Sequence, residues 1–201
     1  MKSKKKVFLT VLCAAALVVA SVLGTMAFLT SKDTVINTFT VGDVNITLDE
    51  AKVDTAGTPV TPAERVKANS YKLIPGHTYT KDPTVHVTAG SENSWIFVKV
   101  ENGLSAIIDD KTIEAQIGEL GWTTLPNNAG VYYKEYTSNA DPVDLNVFSN
   151  FKIKDNADVN DATANYAGKE IKVTGYAIQK DGFTTPAAAW AEVSKTPTTG
   201  N

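Results

Sequence analysis

Val44, Ile46 and Leu48 alternate with Asn45, Thr47 and Asp49, and the same two-residue period returns along most of the chain. Val85 and Val87 alternate with Thr84, His86 and Thr88. Val143, Leu145 and Val147 follow the same rule. Two longer β-prone runs, Trp95–Val100 and Ile171–Ile178, complete the set, and the first has the character of a central strand. Successive side chains of a strand point to opposite faces, so a period of two gives one buried and one wet face. Gly42-Asp43, Pro75-Gly76, Gly90-Ser91-Glu92-Asn93 and Pro126–Gly130 punctuate the runs, and Pro75-Gly76 has the sequence of a type II turn. At least about seven short strands without a βαβ rhythm predict an all-β fold, an antiparallel sandwich.

One or two short helices are expected. Ile113 and Ile117 lie four apart, with Asp109 or Asp110 placed to cap. Thr185-Pro186 supplies an N-cap and a proline at the first helical position, opening an Ala-rich helix that runs to Val193. Residues 50–70 are polar and read as a long loop with a helical turn at Ala63–Ala68. The expected organisation is a signal peptide over 1–27, a β-sandwich domain over 28–193 and a disordered tail over 194–201.

The leader directs the chain out of the cytoplasm. Lys2, Lys4, Lys5 and Lys6 precede an apolar run from Val7 to Leu23, and Gly24-Thr25-Met26-Ala27 gives a small-residue exit. Thr25 and Ala27 suit the pocket of a signal peptidase and place the scissile bond before Phe28. An uncleaved anchor is the alternative, since the run approaches the ~20 apolar residues a bilayer core needs. Bulky Leu12 argues against lipidation of Cys13.

Removing residues 1–27 takes four lysines and no acid, so 19 basic against 22 acidic side chains becomes 15 against 22, a net −7. That balance disfavours nucleic acid, whose phosphates need a basic face. It offers anionic lipid no polybasic grip, so contact with a membrane is expected only through an uncleaved signal. Cys13 is the one cysteine, and it lies in the leader. A domain beginning at Phe28 therefore has no disulfide, no thiol nucleophile and no cysteine-based zinc site. It must hold itself together by packing alone.

Val35-Ile36-Asn37-Thr38-Phe39-Thr40-Val41 reads as the first strand of that domain, directly after the leader. Val35, Phe39 and Val41 fall on one face. Such a strand is tethered on one side and can leave its own sheet to complete a neighbour's. Gly24-Thr25-Met26-Ala27-Phe28-Leu29-Thr30-Ser31-Lys32-Asp33 resembles the signal-exit region of TasA and camelysin proteins, whose precursors are cut by a SipW-type signal peptidase. Asn37-Thr38-Phe39-Thr40-Val41-Gly42-Asp43-Val44-Asn45-Ile46-Thr47-Leu48 is similar to that family's N-terminal pattern. Leu73-Ile74-Pro75-Gly76-His77-Thr78-Tyr79-Thr80-Lys81 looks like its L-x-P-G-x-x-x-x-K turn. The resemblance implies an antiparallel jelly-roll-like β-sandwich exported by a Gram-positive-type cell. It implies either a subunit of biofilm-matrix fibres that donates its N-terminal strand to the next copy, or a camelysin-like surface protein of the kind classed as metallopeptidases.

The residues themselves offer little chemistry. His77 and His86 are the two histidines, and no His-Glu-x-x-His stands anywhere. They meet across a hairpin or serve as two ordinary surface imidazoles, the second reading being the expectation. Asn156, Asp158 and Asn160 mimic the start of an EF-hand loop, but Asp161 stands where the turn glycine belongs and Ala167 where the closing glutamate belongs. Trp95, Trp122, Tyr132, Tyr133 and Tyr136 would line a sugar groove or pack the core. On a strand, Tyr132 and Tyr136 share a face and Tyr133 takes the other. No cofactor is expected, and no catalytic or metal-binding residue is assigned. The expected function is a secreted, non-enzymatic matrix or surface protein that self-associates through Phe28 to Val41; a surface peptidase and a monomeric adhesin are the alternatives.

Overall fold

The computed structural model describes residues 43–109, 113–161 and 163–195. The expected first strand, with Val35, Phe39 and Val41, and the cleavage residues Thr25, Ala27 and Phe28 lie outside the described residues, as does most of the tail. The described strands, in chain order, are β1 (Ile46–Ala51), β2 (Arg65–Val66), β3 (Thr78–Thr80), β4 (Thr84–Val87), β5 (Ser94–Asn102), β6 (Thr123–Thr124), β7 (Val131–Tyr136), β8 (Val143–Asn146), β9 (Asn150–Lys152) and β10 (Ile171–Gln179). Two short helices span Ile113–Glu119 and Pro186–Val193.

The strands form two four-stranded sheets, β2-β1-β4-β8 and β10-β5-β7-β6, and a two-stranded ribbon of β3 and β9. Every pairing is antiparallel. The fold is all-β, with the two larger sheets packed face to face. Val85 and Val87 of β4 and Ile96 and Val98 of β5 are fully buried between them, joined by Tyr132 and Tyr136 of β7. Ile46 and Leu48 of β1 reach across to Gly175 of β10. The trait that makes β5 central in sequence, apolar residues at consecutive positions, has a structural cause. Its even residues face the first sheet, while Trp95 and Phe97 face the other way into a second apolar cluster.

The helix Pro186–Val193 covers that second cluster. Thr185 is its N-cap: the hydroxyl accepts from the Ala188 amide at 3.2 Å, and Pro186 follows where no amide partner is needed. Ala189 is fully buried, and the Trp190 ring meets Phe97 at 5.3 Å and Tyr176 at 5.1 Å. The sheet is thus buried on both faces, by the first sheet and by the helix. The shorter helix buries Ile113 and Ile117 in the main core, as their spacing predicts.

The Pro75-Gly76 turn forms as expected. Gly76 sits at φ +77°, and the His77 amide donates to the Ile74 carbonyl at 3.2 Å. The helical turn expected at Ala63–Ala68 does not form. Arg65 and Val66 are extended and pair with Ala51 and Glu50. The charged side chain that such a turn would have left in solvent instead reaches across the sheet: the Arg65 guanidinium binds Asp49 and Asp82.

Candidate functional site: an open sheet edge and the cavity beside it

β10 is the longest sheet edge among the described residues. β5 pairs with it over nine positions, and no described strand lies on its other side. Two bonds fix which backbone groups point where. The Lys180 amide donates to the Asn93 carbonyl at 2.7 Å, and the Gly103 amide donates to the Glu170 carbonyl at 2.9 Å. Antiparallel pairing alternates, so the even residues of β10 bond to β5. The odd ones, Ile171, Val173, Gly175, Ala177 and Gln179, turn their amides and carbonyls outward. The side chains of Ile171, Val173 and Ala177 face the main core, whereas Tyr176 and Ile178 face the second cluster. The strand is apolar on both faces, yet its seven residues from Val173 to Gln179 and its first residue include none that is fully buried.

The remaining edges are short or already engaged. β8 alternates Val143 and Leu145 with Asp144 and Asn146, and the Asn146 carbonyl accepts from Trp122 Nε1 at 2.8 Å. β2 and β6 have two residues each. At the outer side of β1, the Leu48 carbonyl accepts from Lys67 Nζ at 2.7 Å.

Beside the start of β10 lies a cavity of about 600 Å³, bounded by Leu48 and Glu50 of β1, the 67–73 segment, Val159 and Asn160, the 166–170 segment and Val173. Its floor carries the most deeply buried ion pair among the described residues, Glu50 with Lys81, at 4% and 9% exposure. Asn69 Nδ2 donates to Glu50 Oε1 at 3.0 Å and to the Ala51 carbonyl at 2.8 Å, and Asn69 Oδ1 accepts from the Val53 amide at 2.9 Å. Tyr71 rises from the floor, its hydroxyl 3.1 Å from the Thr80 carbonyl it donates to, and its ring lies edge-on to Tyr79 and Phe151. Burial, helped by the nearby Glu50 carboxylate, pushes the Tyr71 hydroxyl well above the usual phenol range, so it stays a donor.

A row of alternating charge crosses the outer face of the other sheet. Arg65 on β2 binds Asp49 on β1, whose Oδ1 lies 2.9 Å from His86 Nε2 on β4. His86 Nδ1 is in turn 2.6 Å from Asp144 on β8. Burial pulls the imidazole down, but the hydrogen bonds it donates to Asp49 and Asp144 outweigh it and hold the pKa above the usual histidine value. Burial also raises Asp49, and His86 with Arg65 overcome that and leave it lowered. Only an imidazolium can donate to a carboxylate from both nitrogens at once.

His86 is therefore not the ordinary surface imidazole expected. His77 binds the Ala56 carbonyl at 2.8 Å through Nε2 and leans on Tyr79. The two histidines have separate partners, and no described contact joins them. No group of three or more His, Asp or Glu placed to hold a metal ion occurs among the described residues. Asn156, Asp158 and Asn160 are exposed, and Asp158 spends one carboxylate oxygen on the Asn160 amide at 3.1 Å. The five aromatics form no groove: Trp122, Tyr132 and Tyr136 lie in the main core, and Trp95 and Tyr133 belong to the cluster under the helix.

Sequence reasoning missed Glu50, although a signal was present. Val44, Ile46 and Leu48 put the even positions of this segment on the inner face, so a charged residue at position 50 continues that face. Lys81, seven residues after Ile74 and at the end of the expected turn motif, is the partner that makes its burial tolerable. No protein-family model, curated protein or solved structure matches this chain.

Proposed function

We propose that the protein is an exported, non-enzymatic structural protein of the cell surface or extracellular matrix, of the TasA and camelysin type, whose subunits join by strand addition. The observation that carries this reading is β10: apolar on both faces, half-buried, and with five outward-turned backbone pairs. Unpaired amides and carbonyls on a long edge are a template for another strand. The β-prone segment Phe28 to Val41 is the donor in this reading, with Val35, Phe39 and Val41 as its anchors. A SipW-type signal peptidase releases it by cutting between Ala27 and Phe28. A donor from the next copy makes the same kind of hydrogen bonds as one from its own, so exchange costs little enthalpy. The contact is head-to-tail and does not close, so it propagates as a filament.

The test compares three proteins by sedimentation and negative-stain microscopy: one starting at Phe28, one starting near Val44, and the first carrying Phe39→Asp. Fibres from the first alone support the reading. A Phe28 protein that stays monomeric at high concentration and with added seeds overturns it. N-terminal sequencing of the secreted protein checks the cut, and Ala27→Trp should block it.

A further inference from the structure

The cavity beside β10 has the parts of a ligand site, and its chemistry differs from that of the edge. Its volume falls in the range of pockets that take small molecules, roughly 300–1,000 Å³. Three features define what fits. The walls are apolar and aromatic: Leu73, Leu104, Phe151 and Val173 line them together with Tyr71. The mouth is cationic: Lys67, Lys169 and Lys172 of the lining are exposed, against one exposed acid, Glu170, with Lys67 Nζ on the Leu48 carbonyl and Lys169 Nζ over the Tyr166 ring. That concentration of positive charge stands out in a chain whose net charge is −3.

The floor is the third feature. Glu50 cancels the charge of Lys81, so the floor draws neither a cation nor an anion. The Lys81 ammonium has three N–H donors, and its one hydrogen bond among the described residues goes to Glu50. Glu50 in turn uses both oxygens, one on Lys81 and one on Asn69. Among the described residues, two donors of this nearly buried ammonium, which belongs to the cavity lining, therefore have no protein acceptor. Pressing a plain alkyl end against them would leave them unsatisfied, whereas a hydroxyl or carbonyl oxygen would accept from them.

We infer that the cavity binds a small amphiphilic anion: a carboxylate at the lysine mouth, an apolar body against the walls, and a neutral hydrogen-bond acceptor at the far end on Lys81. The segment Phe28 to Val41 is a poor match for that mouth, since Lys32 and Asp33 leave it without net charge. The site borders the edge through Ile171 and Val173, but the ligand it selects is separate from the donor strand, so its failure leaves the proposed assembly untouched.

Titration calorimetry on the protein, with 10-hydroxydecanoate as the probe, tests the inference. Decanoate, 1,10-decanediol and acetate are the comparisons. The hydroxy acid should bind most tightly. Decanoate should bind about tenfold more weakly, because it leaves the Lys81 donors unmet. The diol should bind more weakly than the hydroxy acid and without salt dependence, while both long carboxylates weaken as salt screens the mouth. Acetate should give no measurable heat, since each buried methylene contributes roughly a fourfold gain. Lys169→Glu with Lys172→Glu should cut affinity for the hydroxy acid more than tenfold and spare the diol. Glu50→Gln with Lys81→Met removes the buried pair together and should erase the preference for the hydroxy acid over decanoate. If that variant fails to fold, the surface pair still decides. No heat from the hydroxy acid at millimolar concentration, or a diol that binds equally well, overturns the inference.

Discussion

β5 and β10 are both nine residues long, pair position for position, and carry apolar side chains on both faces. Their fates differ. Ile96, Phe97 and Val98 of β5 are completely buried, whereas no residue of β10 is. The sheets and the helix cover the same two faces of each strand, so composition does not explain the contrast. Position in the strand order does: β5 has neighbours on both sides, and β10 has a described neighbour on one. A strand with core-like side chains and an edge-like position has apolar area still to bury. Burial stabilises by about 25 cal/mol per Å² of apolar surface, so covering this edge is favourable. The contrast is what makes β10 the acceptor in the proposed assembly.

The largest effect should separate the two strands directly. Val98→Asp places an unpaired carboxylate in the closed core and should cost about 4 kcal/mol or more, enough to abolish cooperative melting. Val173→Asp, at the equivalent inner face of the edge, should cost about 1–2 kcal/mol, because its carboxylate can reach water. Equal losses in thermal or urea unfolding would break the comparison.

A pair of prolines probes the backbone. Thr174→Pro removes an amide that bonds to β5 opposite Lys99 and should cost about 3 kcal/mol. Ala177→Pro removes an outward amide and should cost under about 1 kcal/mol, as proline is tolerated on an edge. The second variant should nonetheless lose the ability to form fibres. If both melt alike, the assignment of outward groups is wrong.

Thr185→Ala deletes the cap of the covering helix and should cost about 1 kcal/mol. The helix rests on Phe97 and Tyr176, so its fraying should change Trp190 fluorescence before the global transition. A change seen only at the global transition would show that the cap does not govern this cover.

The smallest effect lies on the opposite sheet and serves as a control. His86 has a raised folded pKa, so its contribution is complete below the unfolded value of about 6.5 and is lost as pH rises through the folded value. Asp49 is lowered, so its contribution is complete above its unfolded value and is lost as pH falls through the folded one. The row should therefore be strongest at mildly acidic pH. Raising the pH past the His86 transition should lower stability by about 1 kcal/mol, and His86→Ala should remove that step. Fibre formation should not follow the same titration, since β10 belongs to the other sheet.

Much of the fold was legible because it rests on local rules. The period of two located β1, β4 and β8, two longer β-prone runs located β5 and β10, and Thr185-Pro186 located a helix whose last residue is Val193. Tyr132 and Tyr136 against Tyr133 divided between the two cores as strand alternation requires. What was not legible depends on distant partners. Arg65 forms a strand because Glu50 and Ala51 lie beside it, a fact that no local window contains. His86 departs from a surface imidazole because β1 and β8 each bring an aspartate to it across 37 and 58 residues of chain. The candidate site shows the same limit. That β10 has no second neighbour among the described residues is a property of strand order, and the Lys81 donors acquire meaning only once Glu50 and the cavity walls are in place.

The nine paired positions between β10 and β5 also determine how the molecule would bear tension. A pull along the length of β10, as from a neighbour clasping its outer side, loads all the rungs of the ladder together in shear. Rupture then requires many hydrogen bonds to fail at once. A pull at right angles from one end opens the rungs singly, at much lower force. The covering helix grips the outer face of both strands through Trp190 and would resist that peeling. The antiparallel edge thus gives the domain a strong axis and a weak one, and a filament whose subunits are linked along β10 would be loaded along the strong one.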